Sequence, residues 1–115
     1  MHTHHTIDYI EFNVRDLAAA KRFYTKAFGW EFTDYGPDYA GIQGRGGEVG
    51  GLRRTDTVRA GGPLVVLYSD DLTASVAAVK SAGGKITKAP FEFPGGRRFH
   101  FTDPSGNELA VWSAS

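Results

Sequence analysis

Residues 12–33, FNVRDLAAAKRFYTKAFGWEFT, fall onto residues 67–88, LYSDDLTASVAAVKSAGGKITK, at a constant offset of 55. Asp16 matches Asp71, Leu17 matches Leu72, Ala19 matches Ala74, Ala27 matches Ala82 and Gly29 matches Gly84. Each copy reads as a strand, an Asp cap that can accept from the free amides of a first helical turn, a helix, a Gly stop and a further strand. One strand–helix unit written twice in 115 residues points to a pseudo-twofold architecture. A site lying between the halves would draw side chains from both.

Working outward, IDYIEFNV (residues 7–14) reads as the first strand. The helix after Asp16 places Leu17, Ala20, Tyr24, Ala27 and Phe28 at three-and-four spacing, an apolar stripe suited to lie on a sheet. WEFTDYG, DYAGIQG and EVGGLRR then alternate with Gly and Pro punctuation as three short strands. The second unit follows the same plan: PLVVLYS, a helix with Leu72, Val76 and Val79, a Gly83-Gly84 stop, and the strands GKITKAPF, RRFHFTD and NELAVWS. TDTVRAGG (residues 55–62) is the expected linker, and EFPGGRR a sharp turn. The expectation is one domain, residues 1–115, with βαβββ modules at about 7–54 and 63–113.

Thirteen basic residues balance thirteen acidic ones, so no global field recommends nucleic acid or an anionic membrane as partner. No apolar run approaches the roughly 20 residues that span a bilayer. MHTHHT lacks the apolar core of a secretory signal, and there is no cysteine for disulfide or thiol chemistry. A cytoplasmic location is the expectation.

The chain resembles the vicinal oxygen chelate superfamily, which includes glyoxalase I, bleomycin-resistance and fosfomycin-resistance proteins and extradiol dioxygenases. The resemblance rests on VRDLAAAKRFYTKAFGWEF, SDDLTASVAAVKSAGGKI and FTDPSGNELAVW, the last with its DPSGN turn before a final strand. It implies an α+β fold of two tandem βαβββ modules, forming a curved mixed sheet around a cavity with helices outside. It implies chemistry only loosely, because such superfolds host unrelated activities.

In metal-dependent members of that superfamily, four ligands come from the first and last strands of each module. Carried onto this chain, the positions are Tyr9, Gly51, Leu64 and Ala110. Leu, Gly and Ala offer no donor atom, and a neutral tyrosine is a weak ligand. The expectation is a member without the usual metal and with no cofactor.

Period-two alternation assigns the remaining cavity residues. Tyr9, Glu11 and Asn13 share one face of the first strand, with Ile10, Phe12 and Val14 turned to the helix. Leu64, Val66 and Tyr68 point inward on the second module's first strand, and Glu108, Ala110 and Trp112 on its last. Arg98 and His100 alternate with Phe99 and Phe101, while Arg53, Tyr39 and Gln43 complete the lining. The candidate ligand-binding set is therefore Tyr9, Glu11, Asn13, Arg53, Tyr68, Arg98, His100, Glu108 and Trp112. Glu11 and His100 are the candidate general bases, with Arg98 expected to keep His100 neutral. The same charges would also serve as structural ion pairs, Glu11 and Glu108 with Arg98 or Arg53.

Two motifs read as bland. His2, His4 and His5 precede the first strand and are expected in a disordered tail, where they bind nickel or zinc only weakly. Gly44-Arg45-Gly46-Gly47 joins two strands, so it reads as a hairpin rather than a phosphate loop. The resulting expectation is a small-molecule-binding protein, closest in chemistry to the drug-sequestering branch. The alternatives are a glyoxalase-like lyase or isomerase or a dioxygenase-type enzyme using Glu11 or His100, a metalloenzyme with displaced ligands, or a structural or regulatory dimer. A homodimer is expected, with Trp30 or Trp112 contributing exposed aromatic surface.

Overall fold

The computed structural model describes residues 2–57, 62–104 and 106–115. Residues 58–61 of the expected linker and Ser105 of the DPSGN turn lie outside the described residues. The fold is α+β, built of two βαβββ modules. The first runs β1 (Ile7–Val14), α1 (Leu17–Phe28), β2 (Phe32–Asp34), β3 (Tyr39–Gly44) and β4 (Gly47–Arg54). The second runs β5 (Leu64–Tyr68), α2 (Leu72–Ser81), β6 (Lys85–Phe93), β7 (Gly96–Thr102) and β8 (Glu108–Ser113). Two compact units result: Tyr9–Pro63, and Leu64–Ser115 together with Met1–Asp8. The segment before Tyr9 groups with the second of these units.

In the Tyr9–Pro63 unit, β1 and β4 are parallel, β3 is antiparallel to both β4 and β2, and the strand order is β2-β3-β4-β1. The Asp16 carboxylate accepts from the Ala19 amide at 3.0 Å, and Gly29 closes α1 at φ 74°, a left-handed conformation that glycine adopts without steric cost. The core is Leu17, Ala40, Ile42 and Leu52, with Phe12, Val14, Ala20, Tyr24, Trp30 and Phe32 packed on it. Three expectations are corrected here. Ile10 is 37% exposed rather than packed under the helix, and Phe28 is 66% exposed because the apolar stripe of α1 ends at Tyr24. Trp30 is half-buried, because the reversal at Gly29 folds its ring onto Tyr24 with centroids 4.6 Å apart. It is a core residue rather than an exposed contact.

The second unit repeats the plan. β5 and β8 are parallel, β7 is antiparallel to β8 and β6, and the order is β5-β8-β7-β6. Asp71 accepts from the Ala74 amide at 3.1 Å. Leu72, Phe99 and Val111 form the core with Leu67, Val76, Val79, Ile86 and Phe101. β6 runs on to Phe93, with irregular register on both sides of Lys88. Pro90, which has no N–H to donate, falls in the second of these.

His2, His4 and His5 correct the expectation of a disordered tail. The His5 amide donates to the Tyr68 carbonyl at 2.7 Å, and the Tyr68 amide donates to the Thr6 carbonyl at 3.1 Å. The Asp70 amide donates to His4 Nδ1 at 2.9 Å, and His5 Nε2 lies 3.1 Å from the buried Ser75 hydroxyl. Backbone pairing along β5 makes the leading segment part of the unit. Among the described residues no helix is long and apolar enough to cross a membrane.

Candidate functional site

Each unit gathers polar side chains on the sheet face opposite its helix. In the Tyr9–Pro63 unit, alternation sends Phe12 and Val14 into the core and turns Glu11 to the other face, where it is 5% exposed. There the Tyr39 hydroxyl donates to Glu11 Oε1 at 2.9 Å and lies 2.7 Å from the Tyr9 hydroxyl. Tyr9 donates to Glu48 Oε2 at 3.0 Å, and Tyr35 donates to Glu48 Oε1 at 2.6 Å. Two carboxylates are therefore linked through two phenols. Burial above all, and then the Glu11 charge, push the Tyr39 hydroxyl far above the usual phenol range. Tyr9 is also raised, first by burial, with the Glu48 charge adding to it and the Tyr39 hydrogen bond opposing it. Both phenols stay protonated at ordinary pH.

Glu48 and Tyr35 were not legible in the sequence. The register between β3 and β4 slips between Ile42 and Gln43, so simple alternation counted along β4 does not find Glu48. The Gly44–Gly47 hairpin that precedes it was the available signal. Other members of the expected lining are peripheral. Arg53 is exposed and pairs in register with Asn13 and Tyr39, and Gln43 turns to the Thr33 hydroxyl at 2.5 Å.

In the second unit, Phe99 and Phe101 face α2 while Arg98 and His100 lie on the opposite side of β7. His100 is 4% exposed, with Nδ1 3.2 Å from Glu108 Oε2 on β8. Its Nε2 is buried and has no hydrogen-bond partner among the described residues. Burial first, and then the Arg98 charge, lower its pKa below the usual histidine value, against the Glu108 hydrogen bond that raises it. A neutral ring whose Nδ1–H donates to Glu108 presents a lone pair at Nε2. The Arg98 guanidinium lies over Phe91 and Phe93, 5.5 and 5.9 Å from the ring centroids. Trp112 stands opposite Arg98 in the ladder, its ring 6.1 Å from Phe93 and 5.0 Å from Tyr68. The indole donates to Asp8 Oδ2 at 2.9 Å, so Trp112 is half-buried and engaged within its own unit. Phe91, Phe93 and Asp8 are further residues that the sequence reading missed.

The superfamily's four metal positions carry Tyr9, Gly51, Leu64 and Ala110. The Tyr9 hydroxyl is held protonated between Tyr39 and Glu48. Gly51 carries no side chain, and the Tyr39 hydroxyl fills the space one would need. Leu64 and Ala110 have no donor atom, and Ala110 is fully buried. Among the described residues no three His, Cys, Asp or Glu side chains are grouped so as to hold a metal ion. These four residues do not fit a divalent metal.

Comparison with known proteins agrees with the architecture. The family model of the Glyoxalase/Bleomycin resistance protein/Dioxygenase superfamily matches residues 6–111. The chain is 29% identical to a putative glyoxylase of Mycobacterium tuberculosis, over 96% of its own length and 46% of that protein's. It is 32% identical to the anthracycline biosynthesis protein DnrV of Streptomyces peucetius, over 84% of its length and 42% of the relative's. The chain thus spans about half the length of the curated relatives it matches. Among solved structures, the Mn(II)-bound glyoxalase of Novosphingobium aromaticivorans is similar with a TM-score of 0.74 and 29% identity, over 99% of this chain and 40% of that one. A methylmalonyl-CoA epimerase bound to methylmalonyl-CoA shares the fold, with a TM-score of 0.75 at 17% identity over 98% of this chain and 96% of that one. With the family model covering nearly the whole chain and both modules built as βαβββ, the protein belongs to the glyoxalase/bleomycin resistance/dioxygenase superfamily.

Proposed function

We propose that this chain is a small-molecule-binding member of its superfamily that works without the usual divalent metal. The observation that carries the reading is His100: a buried imidazole, oriented by Glu108, whose Nε2 lone pair meets no donor among the described residues. An unsatisfied buried polar group costs about 1–3 kcal/mol, and a ligand hydroxyl or N–H would recover that cost. Phe91, whose ring centroid is 5.8 Å from that of His100, offers a flat apolar contact beside it. The ligand class that fits is a small organic molecule with a hydroxyl group on or near a planar ring. The misfit of Tyr9, Gly51, Leu64 and Ala110 to metal supports the metal-free part of the reading.

The test is titration of the protein with phenol, followed by the 15N resonance of His100 Nε2. A saturable shift is expected, with half-saturation at a higher phenol concentration in Phe91→Ala, and an unmoved resonance would overturn the reading. The second reading, an enzyme using His100 as general base, is favoured by the same geometry, since Glu108 orients the ring as a base requires. We also infer a homodimer, since the strand order leaves β2 and β6 with one paired edge each and α1 exposes Phe23 and Phe28.

A further inference from the structure

The side chain of His2 is placed as a ligand would be. Its ring stacks on Tyr68 with centroids 5.0 Å apart and planes at 21°, and meets Trp112 edge-on at 4.9 Å and 86°. Its Nδ1 lies 2.8 Å from Asp8 Oδ1. The other Asp8 oxygen accepts from the Trp112 indole at 2.9 Å, and the Asp8 side chain is only 12% exposed. Tyr68 is thus a floor, Trp112 a wall and the Asp8 carboxylate the closed end of a corner sized for one flat ring. A carboxylate held there needs a donor on its second oxygen, because an ionised group left without a partner away from water is costly.

The occupant is held less firmly than the corner. Tyr68 lies on β5 and Trp112 on β8, where the two are register partners. The leading segment is tied down at His4, His5 and Thr6 by bonds to Asp70, Ser75 and Tyr68. Before that point, Thr3 is held by the Thr6 amide and hydroxyl at its carbonyl, and among the described residues His2 is held by its ring. His2 is also 46% exposed, so its ring can leave without unpairing the segment from β5.

We propose that the Tyr68–Trp112–Asp8 corner is a binding site for a flat nitrogen heteroaromatic ring bearing an N–H donor, and that His2 is its tethered occupant, displaced when such a ring binds. This deepens the reading of the β7–β8 face as a ligand surface, to which the corner connects through the Trp112–Phe93 and Phe93–Arg98 contacts. The tether makes His2 an intramolecular competitor, so a free ring binds with an affinity reduced by the fraction of time His2 is home. The carboxylate selects for the N–H, and the two aromatic faces select for flatness.

The probe is benzimidazole, and the readout is the indole N–H resonance of Trp112, assigned with a Trp30→Phe variant. Titration of the whole chain at mildly alkaline pH should shift that resonance saturably. His2→Ala should reach half-saturation at a roughly ten-fold lower benzimidazole concentration, because the competitor is gone. In the His2→Ala protein, 1-methylbenzimidazole, which at that pH has no N–H to give Asp8, should bind at least several-fold more weakly. Equal half-saturation in the parent and His2→Ala would overturn the tethered-occupant assignment, and equal binding of the two probes would overturn the role of Asp8. Failure here is distinguishable from failure of the function proposed above. That reading is tested by phenol at the His100 resonance, and His100 does not contact the benzimidazole corner in this assignment.

Discussion

The Tyr39 hydroxyl occupies the space that a side chain on Gly51 would need, so the absence of a side chain at 51 and the phenol at 39 form one packing unit. Glycine is required there because anything larger displaces Tyr39 from both Tyr9 and Glu11. Gly51→Ala should cost about 1–3 kcal/mol, the usual penalty for overpacking. In a Tyr39→Ala background the same substitution should cost less, since the obstructing ring is gone. Denaturant melts of the four proteins of this cycle check the coupling, and equal penalties in both backgrounds would show that Tyr39 is not what Gly51 accommodates.

Metal content is the direct test at the four superfamily positions. In a His2→Ala, His4→Ala, His5→Ala variant, elemental analysis should find well below one divalent ion per chain. A stoichiometric manganese, zinc, nickel or iron surviving dialysis would refute the metal-free reading.

His100 gives the acid side of the stability profile a defined sign. Its pKa is lowered in the folded chain, by burial first and the Arg98 charge second, from an unfolded value of about 6.5. Below about 6.5 the unfolded chain takes up a proton that the folded chain resists, so this contribution is intact above that value and is lost as pH falls toward the folded pKa. His100→Gln should flatten that part of the slope in denaturant melts, and an unchanged slope would count against the assignment.

Tyr9 and Tyr39 set the alkaline side. Both are raised, mainly by burial, above an unfolded value of about 10. The unfolded chain therefore releases phenol protons first, and stability should decline as pH rises above about 10. Phenolate absorbance in the folded protein should show Tyr9, Tyr35 and Tyr39 all ionising late, and Tyr39→Phe should remove one of the three.

The helix caps offer a check on the repeat itself. Asp16→Ala and Asp71→Ala should each cost about 0.5–2 kcal/mol, because each carboxylate accepts from the amide three residues on. Thermal melts should give penalties of similar size. A silent substitution at either position would mean that the cap there is not functioning.

What the sequence determined by itself was everything with a short period. The Asp caps and the Gly29 stop are local signals on which hydrogen bonding and backbone freedom act directly, and the 55-residue offset was legible because it repeats them. Alternation along β7 likewise separated Phe99 and Phe101 from Arg98 and His100, because a strand has only two faces. Tertiary structure decided what depends on distant residues meeting. The register slip after Ile42 brought Glu48 to Tyr9, and the turn at Gly29 put Trp30 on Tyr24 rather than in solvent. Pairing of the leading segment with β5 made His2 and Asp8 part of an aromatic corner. No local pattern encodes such meetings: each depends on which strands lie side by side, and one added residue in a strand re-aims every side chain beyond it.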